Sequence, residues 1–145
     1  MIQIREMMEG DVPGVVRIER LAFSTPWSEA SFYSEIFNSR SLPRIAEEDG
    51  RIAGYICVRY FIDEAHLLDI AVDPDFQQRG VGAMLLEAIF RELRELECRN
   101  LYLEVRVSNL SARRLYEKVG CKSIGIRKRY YLYPTEDALL MMCEL

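Results

Sequence analysis

The segment Asp73-Pro74-Asp75-Phe76-Gln77-Gln78-Arg79-Gly80-Val81-Gly82 joins a strand-like apolar run, residues 66–72, to the most regular helical pattern in the chain. Pro74 ends the strand, because proline donates no ladder hydrogen bond. From Gly80 to Leu96, apolar residues recur at steps of three and four positions, with charged residues on the opposite side. The sequence therefore predicts a strand and a helix that are connected by a glycine-containing turn.

This glycine turn is suited to an anion. Its glycines let the backbone approach a ligand closely, and the free amides and the dipole at a helix start favour phosphate. A nucleoside-triphosphate loop is rejected, because Ala83 and Met84 stand where lysine and then serine or threonine would follow. A dinucleotide fingerprint lacks its third small residue at Leu85. Glu104 lies near the place of that fold's ribose-binding acid, but the preceding elements do not open a doubly wound sheet. A glycine turn without a ligand is the remaining alternative.

Strands and helices are expected in the order β-αα-βββ-α-β-α-ββ. Strands are predicted at residues 2–5, 44–47, 52–61, 66–72, 101–105, 122–129 and 138–144. Three helices are predicted to begin after caps at Asp11, Ser28 and Asn109, and the fourth is the helix that follows the glycine turn. Pro43 is expected to end the second helical run.

One α/β domain is predicted over residues 1–145. The chain is 50% hydrophobic and 29% charged, which is ordinary for a globular protein. A helical crossover between two strands is right-handed and produces a parallel pair. The order of elements therefore predicts a mixed central sheet of about seven strands, flanked by about four helices.

Charge and hydropathy exclude several classes of protein. With 19 basic and 23 acidic residues, the net charge of −4 disfavours nucleic-acid binding, which depends on neutralising phosphates. No apolar run has the length of a membrane helix, and the first residues alternate like a strand rather than a signal peptide. A cytoplasmic location is therefore expected.

The four cysteines, at positions 57, 98, 121 and 143, form no C-x-x-C pair. Only His66 could join them as a nitrogen ligand, so no metal site is expected. Scattered cysteines in a chain with no secretory signal are interpreted as reduced thiols. As a single histidine on an apolar strand, His66 is assigned no chemical role.

The pattern Gln77-x-x-Gly80-x-Gly82 resembles the Q/R-x-x-G-x-G/A signature of the GNAT acetyltransferases, whose fold has the order of elements given above. This resemblance implies the GNAT fold, acetyl-CoA as cosubstrate, and a pyrophosphate held by the glycine turn. Further segments resemble the RimI-type members, which acetylate the N-terminal alanine of a small-subunit ribosomal protein. These segments are Pro26-Trp27-Ser28, Asp63-Glu64-Ala65, Ile70-Ala71-Val72-Asp73-Pro74, Leu103-Glu104-Val105-Arg106-x-Ser108-Asn109, Leu115-Tyr116-Glu117, and Tyr130-Tyr131 before Pro134.

The resemblance also implies roles for particular residues. Glu104 matches the general base, and Tyr116 matches the general acid that protonates the leaving thiolate. Trp27 and Tyr131 are implied to line the acceptor peptide's site. The implied cofactor-binding residues are Ile70, Ala71, Val72, Gln78, Arg79, Gly80, Val81, Gly82, Ala83, Asn109 and Tyr116.

Each of these residues also has a structural interpretation. Glu104 alternates with apolar neighbours, so it points away from the packed face, where it could be a solvated strand residue or a base. Tyr116 shares a helix face with apolar residues and could be a core tyrosine. Asn109 could cap a helix, contact the cofactor, or do both. Trp27 could belong to the core. Tyrosines beside the basic residues 127–129 could stack on RNA, form a solvated hairpin, or, for Tyr131, close over a peptide.

The function predicted is direct acetyl transfer to the α-amine of a protein N-terminus, with a ribosomal protein as the expected partner. An α-amine with a pKa of about 7.7–8.0 is roughly 10–15% neutral at pH 7, whereas a lysine near 10.4 is below about 0.1% neutral. A modest base therefore suffices for an N-terminus. The alternatives are a GNAT enzyme with another acceptor, namely a different N-terminus, a lysine or a polyamine, and a coenzyme A-binding module without turnover. The sequence does not specify the oligomeric state.

Overall fold

Seven strands form one sheet in the computed structural model, which describes residues 1–145. Along the chain they are β1 (Gln3–Glu6), β2 (Ser41–Glu48), β3 (Arg51–Phe61), β4 (Glu64–Val72), β5 (Asn100–Arg106), β6 (Cys121–Tyr131) and β7 (Glu136–Glu144). Their order in the sheet is β1-β2-β3-β4-β5-β7-β6, and only β4 and β5 are parallel. The predicted mixed sheet with one parallel pair is confirmed.

Four helices cover the two faces of the sheet: α1 (Val12–Ala22), α2 (Glu29–Ile36), α3 (Val81–Glu95) and α4 (Leu110–Lys118). The apolar sides of α3 and α4 belong to a core cluster of 22 buried residues, which includes Leu85 and Tyr116. The helices α1 and α2 cover a second cluster of 10 buried residues around Phe32 and Tyr55. Successive residues of β3 alternate between the two clusters, so the clusters lie on opposite faces of the sheet.

Two of the predicted helix caps are confirmed. The side chain of Ser28 accepts a hydrogen bond at the start of α2, and that of Asn109 does so at the start of α4. Asp11 occupies the N-cap position of α1 as predicted, but its carboxylate accepts from the guanidinium of Arg5 and the amide of Met8 instead of from a helix amide.

Pro43 lies within β2, where it pairs with Cys57, and does not end a helix as predicted. Its carbonyl accepts the Met7 amide at 3.1 Å, just beyond the last pair between β1 and β2. Main-chain groups of one strand residue point to the same side, so the proline nitrogen also faces the side where β1 ends. No ladder hydrogen bond to β3 is therefore lost.

The parallel strands β4 and β5 are paired only at their first residues. Three residue pairs join them, and the last is His66 with Tyr102. Beyond this point β4 pairs only with β3, so its other edge faces an opening between the strands. A bulge interrupts the pairing of β4 with β3, since Leu67 lies opposite Val58 and Asp69 lies opposite Cys57.

A disulfide joins Cys121 to Cys143, which lie directly opposite each other on β6 and β7. The expectation of reduced thiols is therefore wrong for this pair, because a cross-strand neighbour 22 positions away cannot be recognised from spacing. Cys57 and Cys98 are free and buried. None of the helices has the length and apolar character that spanning a bilayer requires.

Gly54 on β3 lets the end of β4 and the start of α3 pack closely. A Cβ atom at this position would meet the Ala71 carbonyl oxygen at 2.8 Å and the Val81 side chain at 3.3 Å. We expect Gly54→Ala to lower the free energy of unfolding by about 1–3 kcal/mol, because the nearest atom belongs to the backbone of a paired strand. Denaturant unfolding measures this change.

Gly125 on β6 provides the matched control. A Cβ atom there would lie 3.8 Å from Leu140, an ordinary contact. Gly125→Ala should leave the free energy of unfolding unchanged or slightly raised. Equal losses for the two variants would contradict the role given to Gly54.

Candidate active site

The turn before α3 presents a row of free main-chain amides. None of the six N–H groups of residues 78–83 has a hydrogen-bond acceptor in the chain, and the first amide of this region that does is Met84, which donates to Gly80 at 3.0 Å. Gly80 begins the helix without a side-chain cap. Gln78 and Gly80 adopt φ values of 65° and 76°, which direct the turn across the start of α3. The arrangement fits a ligand with several anionic oxygens, such as a diphosphate.

Two residues of this turn are held by other parts of the protein. Arg79 donates to Glu48 at 2.6 Å, and its guanidinium lies 5.2 Å from the centre of the Phe76 ring. At Gly82 a Cβ atom would lie 2.8 Å from the side chain of Leu115 on α4. Gly82 therefore leaves room for the end of the Leu115 side chain, which would have to move if a larger residue stood there.

The opening beside β4 exposes main-chain groups. The amide of Asp73 donates to Ala53 on β3 at 2.8 Å. Because main-chain groups alternate along a strand, those of Ile70 and Val72 face the opening, whereas those of Ala71 face β3. Of the three predicted residues, the register thus brings Ile70 and Val72 to the place where a thioester carbonyl could accept a hydrogen bond.

Glu104 on β5 lies next to this opening and is paired with a histidine. Its Oε2 lies 2.6 Å from Nε2 of His66 on β4, and its side chain is 17% exposed. His66 was assigned no role from the sequence. A signal was present, because His66 and Glu104 each alternate with buried apolar residues and therefore project from the same face of a parallel pair.

Tyr131 lies in the electrostatic environment of Glu104, and Tyr116 lies in that of Tyr131. Burial is the main cause that raises the pKa of Tyr116. Burial and the negative charge of Glu104 raise the pKa of Tyr131 to about 12. Both phenols therefore keep their protons at neutral pH, and Tyr116 has a proton to give.

Tyr131 is fixed by an arginine on β5. The guanidinium of Arg106 lies 4.5 Å from the centre of the Tyr131 ring. The same group donates to the carbonyls of Leu132 at 3.0 Å and Pro134 at 2.8 Å, which hold the connection between β6 and β7. The two hydrogen bonds of Arg106 were not predicted, because they join residues that are 26 and 28 positions apart.

Trp27 packs at the edge of the second core cluster, and its place at the acceptor peptide's site stays a prediction. Its ring packs 5.2 Å from that of Phe32, and it also borders a cavity of about 490 Å³ beside α2. The residues that line this cavity are Trp27, Ala30, Ser31, Ser34, Glu35, Arg59 and Leu68. Asn109 caps α4 by accepting the Ala112 amide at 3.2 Å, so its capping role is observed and a cofactor contact stays a prediction.

These features together define an acyltransferase site: an anion-binding helix start, a gap between parallel strands, a carboxylate and a protonated tyrosine. Residues 12–121 match the model of the Acetyltransferase (GNAT) family, and the chain belongs to this family. This confirms the fold and the acetyltransferase class expected from the sequence.

Comparison with individual proteins shows which members of the family the chain resembles. The chain is 43% identical over 135 residues to the [ribosomal protein bS18]-alanine N-acetyltransferase of Salmonella typhimurium, covering 90% of this chain and 89% of that protein. It is also similar to the crystal structure of the ribosomal-protein-S18-alanine N-acetyltransferase from Escherichia coli, with a TM-score of 0.92, 38% identity, and coverage of 99% and 94% of the two chains. The structure of Ard1 from Thermoplasma volcanium is similar at a TM-score of 0.89 and 28% identity, with coverage of 99% and 97%.

The pair of His66 and Glu104 generates a prediction. We expect His66→Leu to lower kcat for acetyl transfer by about tenfold to a hundredfold, because Glu104 would lose the partner that orients it. The KM for acetyl-CoA should stay the same. Steady-state kinetics with each substrate varied separately measure both quantities.

His66→Gln is the conservative control, because it retains a hydrogen-bond donor and should recover part of the lost rate. Equal losses in the Leu and Gln variants, or an unchanged kcat in both, would remove His66 from any positioning role.

Proposed function

We propose that this protein transfers the acetyl group of acetyl-CoA to the α-amine of a protein N-terminus, namely the N-terminal alanine of the small-subunit ribosomal protein bS18. The observation that carries this proposal is the pairing of Glu104 with His66 at the point where β4 and β5 part, next to main-chain groups that face the gap. The names of the Salmonella and Escherichia coli relatives support the acceptor. A ribosomal acceptor also agrees with a cytoplasmic location.

Acetyl-CoA fits the donor side of this site. The free amides of residues 78–83 would hold its pyrophosphate, with Arg79 adding charge at the rim. The main-chain groups of Ile70 and Val72, which face the opening, would bind the pantetheine and polarise the thioester carbonyl. When bound, acetyl-CoA supplies the activated acetyl group, and the chain supplies alignment and proton transfer.

Glu104 acts as the base in this proposal. Its carboxylate receives a proton from the acceptor ammonium, either directly or through one water molecule. His66 holds one carboxylate oxygen, so the other remains available to the acceptor. The neutral amine then attacks the thioester carbonyl and the C–S bond breaks. As the amide forms, the second amine proton passes to solvent water, which also returns a proton to the Tyr116 phenolate, and Glu104 releases its proton to solvent.

Tyr116 acts as the acid, giving its proton to the sulfur of the departing coenzyme A. No cysteine is placed to form an acetyl-enzyme. Cys121 and Cys143 are joined in a disulfide, and burial raises the pKa of the Cys57 and Cys98 thiols. These properties support direct transfer in a ternary complex.

Mass spectrometry of an alanine-initiated peptide from a ribosomal-protein N-terminus, incubated with acetyl-CoA, tests the acceptor. One added acetyl group on the α-amine is expected. Two competing acceptors are included. One is the same peptide with its α-amine blocked and an internal lysine present, and the other is a polyamine. Acetylation of either one in preference to the free N-terminus would overturn the proposal, and so would the absence of any acetylated product.

The role of Glu104 has its own test. Glu104→Gln should lower kcat by about a hundredfold or more, because the amide cannot accept the ammonium proton. Coenzyme A affinity, measured by calorimetric titration, should stay nearly the same. The exposed Glu117 on α4 is a matched control, and Glu117→Gln should keep wild-type kcat. An unchanged kcat in Glu104→Gln would exclude this residue as the base.

A third variant tests the acid. Tyr116→Phe should lower kcat and alter the pH–rate profile, because sulfur would have to take its proton from water. The buried ring of Tyr116 is preserved in phenylalanine, so folding measured by circular dichroism should be unaffected. A pH–rate profile identical to that of the wild type would show that Tyr116 serves only in packing.

A further inference from the structure

A cluster of buried polar side chains lies behind the acceptor side of the site. Glu19 on α1 and Asp69 on β4 are only 1% and 7% exposed, and Tyr55 on β3 is fully buried. One Glu19 oxygen accepts the Tyr55 hydroxyl at 2.5 Å, and the other accepts the main-chain amide of Trp27 at 3.0 Å. The Asp69 carboxyl is a close neighbour of Glu19, which contributes to raising its pKa. None of these residues takes part in the chemical steps described above.

Two carboxyl groups in contact in the protein interior cannot both be charged without a cation. No cation acts on Asp69, and its Oδ2 has no hydrogen-bond partner, a condition far less costly for a neutral carboxyl than for a carboxylate. Burial, and then contact with Glu19, raise the pKa of Asp69 far above the usual range of an aspartic acid. The titratable groups facing Asp69 are Glu19 from α1, Tyr55 and Cys57 from β3, and Tyr116 from α4. On the side of α2, Glu35 and Arg59 form an ion pair whose charges act on Cys57.

The bulge in β4 explains why Asp69 points toward α1. Leu68 is the extra residue between the pairs Leu67–Val58 and Asp69–Cys57. Leu68 and Asp69 therefore both project from the face covered by α1 and α2. Asp69 directly precedes Ile70, whose main-chain groups face the opening, and its carboxyl also contacts the Ile70 amide.

We propose that Asp69 is a positioning residue for acceptor binding: its buried carboxyl packs against Glu19, which holds the Trp27 amide and so fixes the connection between α1 and α2 against the strand that binds the acetyl group. This inference rests on the proposed function, in which that connection borders the acceptor. The connection spans residues 23–28, between the last residue of α1 and the first of α2.

The other side of this connection is held as well. The Ser24 hydroxyl donates to the Tyr133 carbonyl at 2.8 Å, in the segment that joins β6 to β7 and follows Tyr131. The loop that contains Trp27 therefore contacts the loop that directly follows Tyr131. Loss of the anchor at Glu19 would release one of these loops and enlarge the space between them.

Kinetics of three variants test this role. Asp69→Leu should raise the KM for the acceptor peptide about tenfold, because the loop loses its anchor, while the KM for acetyl-CoA stays within about twofold. Asp69→Asn should restore most of the peptide KM, since an amide can also donate to Glu19. Asp63→Leu removes a partly exposed acidic side chain from the turn before β4 and is the matched control.

Two measurements on the pure protein need no acceptor. In the infrared spectrum at neutral pH, the C=O stretching band of a protonated carboxyl group should be present in the wild type and absent in Asp69→Asn. Hydrogen exchange of residues 23–28 should be faster in Asp69→Leu than in the wild type. If the wild type acetylates no alanine peptide, the proposed function fails, whereas these two measurements still decide the position of the proton and the anchoring of the loop.

The pH dependence gives a further check. The folded protein keeps a proton on Asp69 that the unfolded chain would release, so the contribution of this pair to stability falls as pH rises. In alkaline solution the wild-type KM for the peptide should therefore rise relative to that of Asp69→Asn. Absence of the carboxyl band, or a peptide KM in Asp69→Leu equal to the control, would overturn the inference. If Asp69→Leu does not fold, the band and the alkaline comparison decide it.

Discussion

The parting of β4 from β5 is the constraint on which the rest of the site depends. Strands that stayed paired would use the main-chain groups of Ile70 and Val72 in a ladder and leave nothing to bind a thioester. Pairing instead ends at His66 and Tyr102, and the next residue of β5 on the same face is Glu104. The gap that exposes backbone donors therefore also places the carboxylate beside them.

The two sides of this gap differ in their electrostatics. On the acceptor side, ionisable groups form a row across three strands, in which Glu35 pairs with Arg59, Arg59 lies opposite His66, and His66 contacts Glu104. Carboxylates therefore lie at both ends of this row, on α2 and on β5. On the donor side, the turn before α3 offers bare amides and the rim guanidinium of Arg79. The two substrates thus meet different environments, with carboxylates on the acceptor side and main-chain amides on the donor side.

Local signals predicted the order of elements, the parallel pair and the glycine turn, because hydrophobic periodicity and helix caps act over a few residues. The features that were missed depend on register. Pro43 is tolerated because β1 ends beside it, and His66 matters because of its position across from β5. Asp69 faces α1 only because of a bulge. No spacing along the sequence encodes such contacts.

The unpaired amides before α3 also link folding to metabolism. No group of the chain accepts from them, and an anionic ligand that binds only the native state shifts the unfolding equilibrium by mass action. Above saturation, each tenfold rise in ligand concentration adds about 1.4 kcal/mol to the stability of the native state. The lifetime of the enzyme in the presence of proteases is thereby coupled to the supply of the thioester it consumes.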